Sequence, residues 1–468
     1  NAMRILFLFI LLLLLVISFT FAQSFDSTRA RRLSMMHARS SPEWVRNGII
    51  YEIYPRSFSP EGTFAGIEKR LPELKQLGVT VLWLMPIHPV GEVKRKGTLG
   101  SPYSVKDYYA VNPEYGTLND FKHLLHSAHE LGFHLLIDLV VNHTSWDSKL
   151  IKGHPEWFRK DSAGNIVSPN PDWTDVADLD YSHPELRHYM IDMMKYWVRD
   201  VGIDGFRCDV AELVPLSFWE EARAALDSIK PVMMLSEGSV PAQHVKAFDV
   251  TYSWNIYDIL SPMMTGKLTA YALDKELNRE EVTFPQGSLR MRFSSNHDKN
   301  AWDNPDVVKF GEEGAKLAAV IVNTIPGIPL IYNGQEAGNA KKLSLFEKVP
   351  IDWKDTANFR KFYTRLFEIR REHPALREGK MVRIPSYNDR YVYAFERIAS
   401  ADTMLVVYNF SKVNAMITLD FSGLKLSIGK KIRLDDVFTG DTWDINVSPE
   451  KSIPVVVLAM GYRVYVVN

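Results

Sequence analysis

From about Trp44 onward, short apolar or β-branched runs alternate with longer stretches whose apolar residues recur at helical spacing. The pattern predicts strands over Ile49–Tyr54, Val81–Met85, His134–Val140, Gly205–Val210, Val232–Leu235, Val250–Trp254, Leu289–Ser294 and Ile328–Tyr332. It predicts helices over Gly66–Leu77, Leu118–Leu131, Pro184–Val201 and Leu216–Ile229, with a last one from Phe359 to His373. Strands that each lead into a helix or a long loop imply a parallel sheet, and eight such units favour closure into a TIM-type (β/α)8 barrel.

Two connections exceed the ~2–6 residues of an ordinary strand-to-helix loop. They are Ile87–Thr117 after the second strand and Val141–His183 after the third. The second carries Trp146, Trp157 and Trp173 and reads as a small inserted domain B over 141–183. Beyond Pro374 and Gly379 the pattern turns to strands alone: Tyr391–Arg397, Met404–Asn409, Ala415–Phe421 and Val455–Val467. That predicts a C-terminal antiparallel β-sandwich over 378–468, with the barrel built from 44–140 and 184–377 and an N-terminal extension over 23–43.

The first residues follow a different pattern. Asn1 and Ala2 before Met3 read as an expression-tag scar; then come Arg4, the apolar run Ile5–Ile17, and Thr20-Phe21-Ala22. This is the order of a secretory signal peptide spanning 1–22, and the run is shorter than the ~20 residues of a membrane span. The expectation is a periplasmic or secreted protein with no membrane anchor after cleavage near Ala22.

Composition narrows the function classes. At 46% hydrophobic and 24% charged residues the chain can fill a large core, and a formal net charge of −1 leaves no electrostatic footprint for nucleic acid. Cys208 is the only cysteine, so no internal disulfide is possible.

The candidate chemistry sits at strand ends, where a barrel builds its site. The third strand runs into Asp138, Asn142 and His143, the fourth into Arg207 and Asp209, the fifth into Glu237, and the seventh into His297 and Asp298. Strand alternation puts Arg207 and Asp209 on one face, and Phe206 and Cys208 on the other. A guanidinium beside Asp209 is expected to favour the ionised form that a nucleophile needs. Carboxylates on adjacent strands, as Asp209 and Glu237 would be, can lie ~5 Å apart, the spacing of a retaining glycosidase. A lone carboxylate at a barrel end also caps helices or forms ion pairs, and Asp138 reads as structural. Three inward carboxylates with an arginine and two histidines are much harder to assign to structure alone. His123, His126 and His129 read as solvated helix residues, and the segment Gly91–Gly100 lacks the Gly-Lys-Ser/Thr order of a phosphate loop.

Several longer segments carry a resemblance: IIYEIYPRSF (49–58), VLWLMPIHP (81–89), SPYSVKDYYAVNPEYGT (101–117) and GIPLIYNGQEAG (327–338). With the strand-end motifs above, and in the same order, they resemble the α-amylase family of glycoside hydrolases, nearest to bacterial α-amylases and to neopullulanase-like and cyclomaltodextrinase-like members. The resemblance implies Asp209 as nucleophile, Glu237 as acid/base and Asp298 as transition-state stabiliser. It implies His143, Arg207 and His297 as binders of sugar hydroxyls and Tyr103, four residues before Asp107, as the ring-stacking tyrosine. Asn142 and Asp178 match two positions that hold a structural calcium in many members, while the chemistry itself needs no cofactor. Glu212 and Leu213 stand where typical α-amylases carry a Lys-His pair. The implied function is hydrolysis of α-1,4-glucosidic bonds in starch or malto-oligosaccharides through a covalent intermediate. The alternatives are an α-1,6-glucosidase, a neopullulanase or a transglycosylase of the same family, and a non-catalytic carbohydrate-binding relative.

Overall fold

Eight parallel strands close on themselves: β1 (Ile50–Ile53), β2 (Val81–Leu84), β3 (His134–Leu139), β4 (Gly205–Cys208), β5 (Met233–Ser236), β6 (Val250–Tyr252), β7 (Leu289–Arg292) and β8 (Ile328–Tyr332). The computed structural model describes residues 31–386, 388, 390–421, 431–446, 449 and 452–468. The segment on which the signal-peptide expectation rests lies outside the described residues. Among the described residues no helix is long and apolar enough to cross a membrane.

Each strand divides its side chains between two cores, as the period of two requires. Ile50, Trp83, Leu136, Leu235 and Tyr252 fill the barrel interior, whereas Tyr51, Leu82, Ile137, Phe206 and Cys208 face the surrounding helices. Gly205 lets β4 approach β5: a Cβ there would lie 2.0 Å from the Met233 carbonyl oxygen, so no side chain fits.

The predicted elements hold with informative trims. The fourth strand ends at Cys208 instead of Val210, because Val210 adopts φ +37° and leaves the ladder. The stretch Gly66–Leu77 is two helices, Phe64–Glu68 and Leu71–Leu77, the second opening with Pro72 in its first turn. Pro184–Val201 is α-helical to Lys195 and then widens into a π-helix over Tyr196–Val201. After β3 the chain makes a small antiparallel pair, His143–Ser145 with Val176–Asp178, before returning to the barrel.

The C-terminal strands are β9 (Lys380–Ile384), β10 (Val392–Ala399), β11 (Asp402–Asn409), β12 (Ala415–Asp420), β13 (Lys431–Asp436), β14 (Thr442–Asn446), β15 (Ser452–Val457) and β16 (Gly461–Val467). An antiparallel sheet in the order β9-β10-β11-β16-β13-β14 packs against the β12-β15 pair over Val392, Leu405, Val407, Leu419 and Val455. The predicted single strand Val455–Val467 is in fact β15 and β16, separated by a turn in which Met460 takes φ +47°. The opposite face of the large sheet, with Tyr393, Phe395 and Tyr408, packs onto the barrel helices. A buried arginine fastens that junction: Arg397 of the sheet donates to the Thr324 carbonyl at the C-terminus of the barrel helix Asp306–Thr324, where Arg370 of the last barrel helix donates to the Asn323 carbonyl. Cations there satisfy orphan carbonyls and complement the helix dipole.

Candidate active site

The barrel ladder continues just past the strands and fixes two carboxylates. Asp209 N–H donates to Leu139 O at 2.9 Å, and Glu237 N–H donates to Cys208 O at 2.9 Å. Their side chains therefore emerge side by side at the C-terminal mouth of β4 and β5. Below them lies Arg207, with no exposed surface. Its NH1 donates to Asp138 Oδ1 and to Asp209 Oδ1, each at 2.9 Å, and its Nε to the Tyr252 hydroxyl at 3.2 Å. Arg207 NH2 lies 2.9 Å from Glu237 Oε2 as an ion pair off the donor direction, since that nitrogen makes no aligned hydrogen bond. Glu237 Oε2 instead accepts the Val210 N–H at 2.8 Å. The guanidinium also sits 5.1 Å from the centre of the Trp83 ring, whose Nε1–H donates to Asp138.

Burial changes the expected charge balance. The Asp209 carboxyl is held well above the usual carboxylate range, chiefly by burial; Arg207 opposes this, and Glu237 and Asp138 add to it. The expectation that Arg207 would keep Asp209 readily ionised is thus outweighed by desolvation, because one guanidinium serves three carboxylates. Arg207 itself stays charged: burial acts against the cation, but Asp138 and Glu237 hold it above its ordinary value.

The two histidines differ in the same way. Burial lowers His143 to about 4, so it is neutral. Its Nδ1 lies 3.2 Å from the Asn142 amide nitrogen, so that ring atom accepts and the proton resides on Nε2, 4.0 Å from Asp209 Oδ2. For His297, burial also pulls downward, yet Asp298 and Glu52 pull further and raise it to about 9. His297 is therefore an imidazolium, its Nδ1–H on the fully buried Glu52 and its Nε2–H 2.8 Å from the Tyr103 hydroxyl. Tyr103 passes its own hydrogen to Asp138 at 3.2 Å and stacks on the His297 ring at 5.3 Å between centres.

These groups surround a cavity of about 210 Å³, with Tyr103, His143, Asp209, Glu237, His297 and Asp298 on its walls. Trp173, Trp302 and Phe346 complete it. The seven residues singled out from the sequence thus converge, with Arg207 beneath the floor and in contact with carboxylates rather than lining the cavity. Glu52, Trp83 and Tyr252 were not singled out, and they build the layer that holds Asp138, Arg207 and His297. Glu52 had a signal: it is a lone carboxylate on the inward face of an apolar strand. Glu212, at the place of the Lys-His departure, accepts the Ser239 N–H and so ties the chain after Asp209 to the chain after Glu237.

Asn142 and Asp178, the two positions matched to calcium binding, flank the small antiparallel pair after β3: Asn142 immediately precedes its first strand and Asp178 ends its second. The Asp178 carboxylate lies 3.3 Å from Arg159 Nε, and among the described residues no cluster of three or more histidine, cysteine or acidic side chains converges to hold a metal. The three helix histidines are solvated and paired, His123 with Glu68, His126 with Glu130 and His129 with Asp204.

Residues 19–174 and 170–379 match the family described as alpha amylase, catalytic domain. The chain belongs to the α-amylase family. Alpha-amylase MalA of Haloarcula japonica is 30% identical over 392 residues, which cover 79% of this chain and 56% of that protein. The chain therefore spans little more than half of that relative's length. Alpha-amylase 3 of Dictyoglomus thermophilum is 28% identical over 464 residues, covering 81% of this chain and 88% of the relative. Among solved structures, the noncanonic maltogenic alpha-amylase AmyB of Thermotoga neapolitana superposes with a TM-score of 0.83 at 36% identity, over 90% of this chain and 99% of that one. The family's barrel is joined here by the small insert after β3 and the C-terminal antiparallel domain.

Proposed function

We propose that this α-amylase-family enzyme is a retaining hydrolase of α-1,4-glucosidic bonds in malto-oligosaccharides and starch, with Asp209 as nucleophile and Glu237 as acid/base. One observation carries the reading. Asp209 Oδ1 lies 2.9 Å from NH1, and Glu237 Oε2 2.9 Å from NH2, of the same guanidinium, that of Arg207. Those nitrogens share one carbon, so the two carboxyls are held side by side on one group, an arrangement compatible with the ~5–5.5 Å separation of retaining enzymes.

In the first step the ionised form of Asp209, the form that Arg207 favours, attacks the anomeric carbon while Glu237 gives its proton to the departing glycosidic oxygen. In the second, Glu237 takes a proton from water, which attacks the same carbon and frees Asp209. Two inversions return the starting anomer. Asp298, on the wall beside His297, faces the positive charge that develops on the ring. The neutral His143 Nε2–H supplies a donor to sugar hydroxyls, the His297 imidazolium supplies positive charge beside them and donates to a hydroxyl where one displaces Tyr103 from its Nε2–H, and Tyr103 offers a ring face. A non-catalytic binding protein would have no use for three carboxylates held at such cost in desolvation around one arginine.

The test is proton NMR during cleavage of maltoheptaose. The α-anomer of the new reducing end is expected first, with mutarotation to the β-anomer later. Appearance of the β-anomer first means inversion and overturns the assignment of Asp209.

A further inference from the structure

The segment Gly91–Gly100, left without a role by the sequence, crosses one side of the barrel mouth as a strap. On one side Lys96 Nζ lies 2.7 Å from the Asp172 carbonyl oxygen and 3.0 Å from Asp175 Oδ1. These belong to the loop that places Trp173 against His143, ring centres 5.5 Å apart. On the other side Thr98 N–H donates to Glu347 Oε1 at 2.7 Å and Leu99 N–H to Phe346 O at 3.0 Å, on the loop that follows β8. Gly97 has φ +64°, and a Cβ on it would lie 2.5 Å from Phe346 Cβ, so strap and loop pack closer than a side chain allows. From beneath, the buried Arg56 donates to Gly100 O at 2.9 Å, Leu99 O at 3.3 Å and Leu345 O at 3.1 Å. One guanidinium, placed by the chain just after β1, therefore holds the strap and the β8 loop together.

The position of the strap gives it a direction. The barrel closes in the order β1-β8-β7-β6-β5-β4-β3-β2, so the strap, fixed over β2, β1 and β8, lies across the mouth from β5 and Glu237. An acid must face the departing oxygen, so the leaving part of the substrate lies on the Glu237 side. The retained part of the substrate points the opposite way, toward Lys96, Ser101 and Phe346, which line the 210 Å³ cavity. That volume is below the ~300–1,000 Å³ of sites that take larger ligands, and it suits one or two sugar rings.

We propose that the strap Lys94–Gly100 closes the glycone end of the site, so that the enzyme works from the non-reducing ends of short α-glucans and not within long chains. This rests on the hydrolase reading above and names its substrate class. Lys96 and Gly97 act through the walls they join and are specificity-determining positions.

The experiment compares two maltoheptaosides, one with a free non-reducing end and one with that end blocked by an ethylidene group, with products read by chromatography. The wild type is expected to favour the free-ended substrate by about 100-fold or more, since a blocked end cannot seat the scissile bond. Lys96→Ala, and a second variant with Lys94–Gly100 replaced by a short Gly-Ser linker, are expected to raise relative cleavage of the blocked substrate by about tenfold or more while retaining cooperative melting. Comparable wild-type rates on both substrates overturn the proposal, as does an unchanged preference in both folded variants. Failure of the hydrolase reading looks different: no product from either heptaoside and no release of fluoride from α-glucosyl fluoride, which removes the proposal with the reading it rests on.

Discussion

The backbone N–H of Val210 meets Glu237 Oε2 at 2.8 Å from a left-handed conformation, φ +37°. A β-branched residue is seldom found there, because its Cβ crowds the following carbonyl. The turn carries Asp209 out of the ladder and aims the next N–H at the neighbouring carboxylate, so backbone strain sits at the point where two carboxylates must be held in register. Val210→Gly keeps the donor and releases roughly 1–2 kcal/mol of strain. Glycine's greater freedom in the unfolded chain returns about 0.5–1 kcal/mol of that. The expected outcome in thermal denaturation is stability equal to or slightly above wild type. A loss of more than about 2 kcal/mol would show that the conformation carries no strain.

The two carboxylates separate by chemistry. Asp209→Asn leaves no anion to attack the anomeric carbon, and turnover of every substrate should fall by about four orders of magnitude or more. Glu237→Gln removes only the proton donor and base, so α-glucosyl fluoride, whose leaving group needs no proton, should still load the enzyme. Azide added to that variant is expected to yield an α-glucosyl azide, identified by NMR. A β-glucosyl azide, or loss of fluoride turnover equal to that of Asp209→Asn, would contradict the division of labour between nucleophile and acid/base.

His297 sets an alkaline boundary. Its imidazole is raised from 6.5 to about 9, against the pull of burial, by Asp298 and Glu52. A histidine with a raised folded-state value contributes stability that is complete below 6.5 and is lost as pH climbs through about 9. The melting temperature of the wild type should therefore fall across that window, and the fall should be shallower in His297→Asn. Wild-type kcat/KM should decline on its alkaline limb near the same value as the imidazolium loses the proton facing Tyr103. Parallel melting curves for the two proteins from neutral to alkaline pH would remove His297 as the cause.

A second titration lies far from the site. Glu396 on β10 is only 6% exposed, points to the sandwich side shared by Val392 and Ala394, and is pushed up to about 7 by burial. The sign follows from the proton: the folded state keeps it where the unfolded chain has lost it, so stability present below about 4.5 is lost as pH rises through about 7. Glu396→Gln, which carries no charge at any pH, should melt like the wild type at acid pH. At alkaline pH it should be more stable by about 1–3 kcal/mol. Equal melting temperatures at both ends would mean that the carboxylate is accommodated in the sandwich at no cost.

Much of this molecule is legible in its sequence because the information is local. The barrel strands are apolar on both faces, and polar residues break the pattern where each strand leaves the sheet, so Asp209, Glu237, His297 and Asp298 announce themselves by position. Glu52 breaks the same pattern in the first strand, but a lone carboxylate within an otherwise apolar motif does not by itself point to a site. β13 and β14 give no such signal: β14 is almost wholly exposed and β13 buries only every second residue, so neither forms a continuous apolar run. The strap is illegible for another reason. Lys96 meets Asp175, and Thr98 meets Glu347, across long stretches of chain, and no periodicity records which distant loops will touch.

Cys208 lies between Arg207 and Asp209 but faces the helices, fully buried, and it is the chain's only thiol. A reagent in solution can reach it only when β4 parts from its layer of helices, because burial also holds the thiol in its protonated, unreactive form. Its rate of labelling is then a clock for barrel opening, one residue away from the chemistry, that needs no added probe. Occupation of the mouth by a sugar should slow that clock in proportion to how firmly the ligand keeps the barrel wall shut.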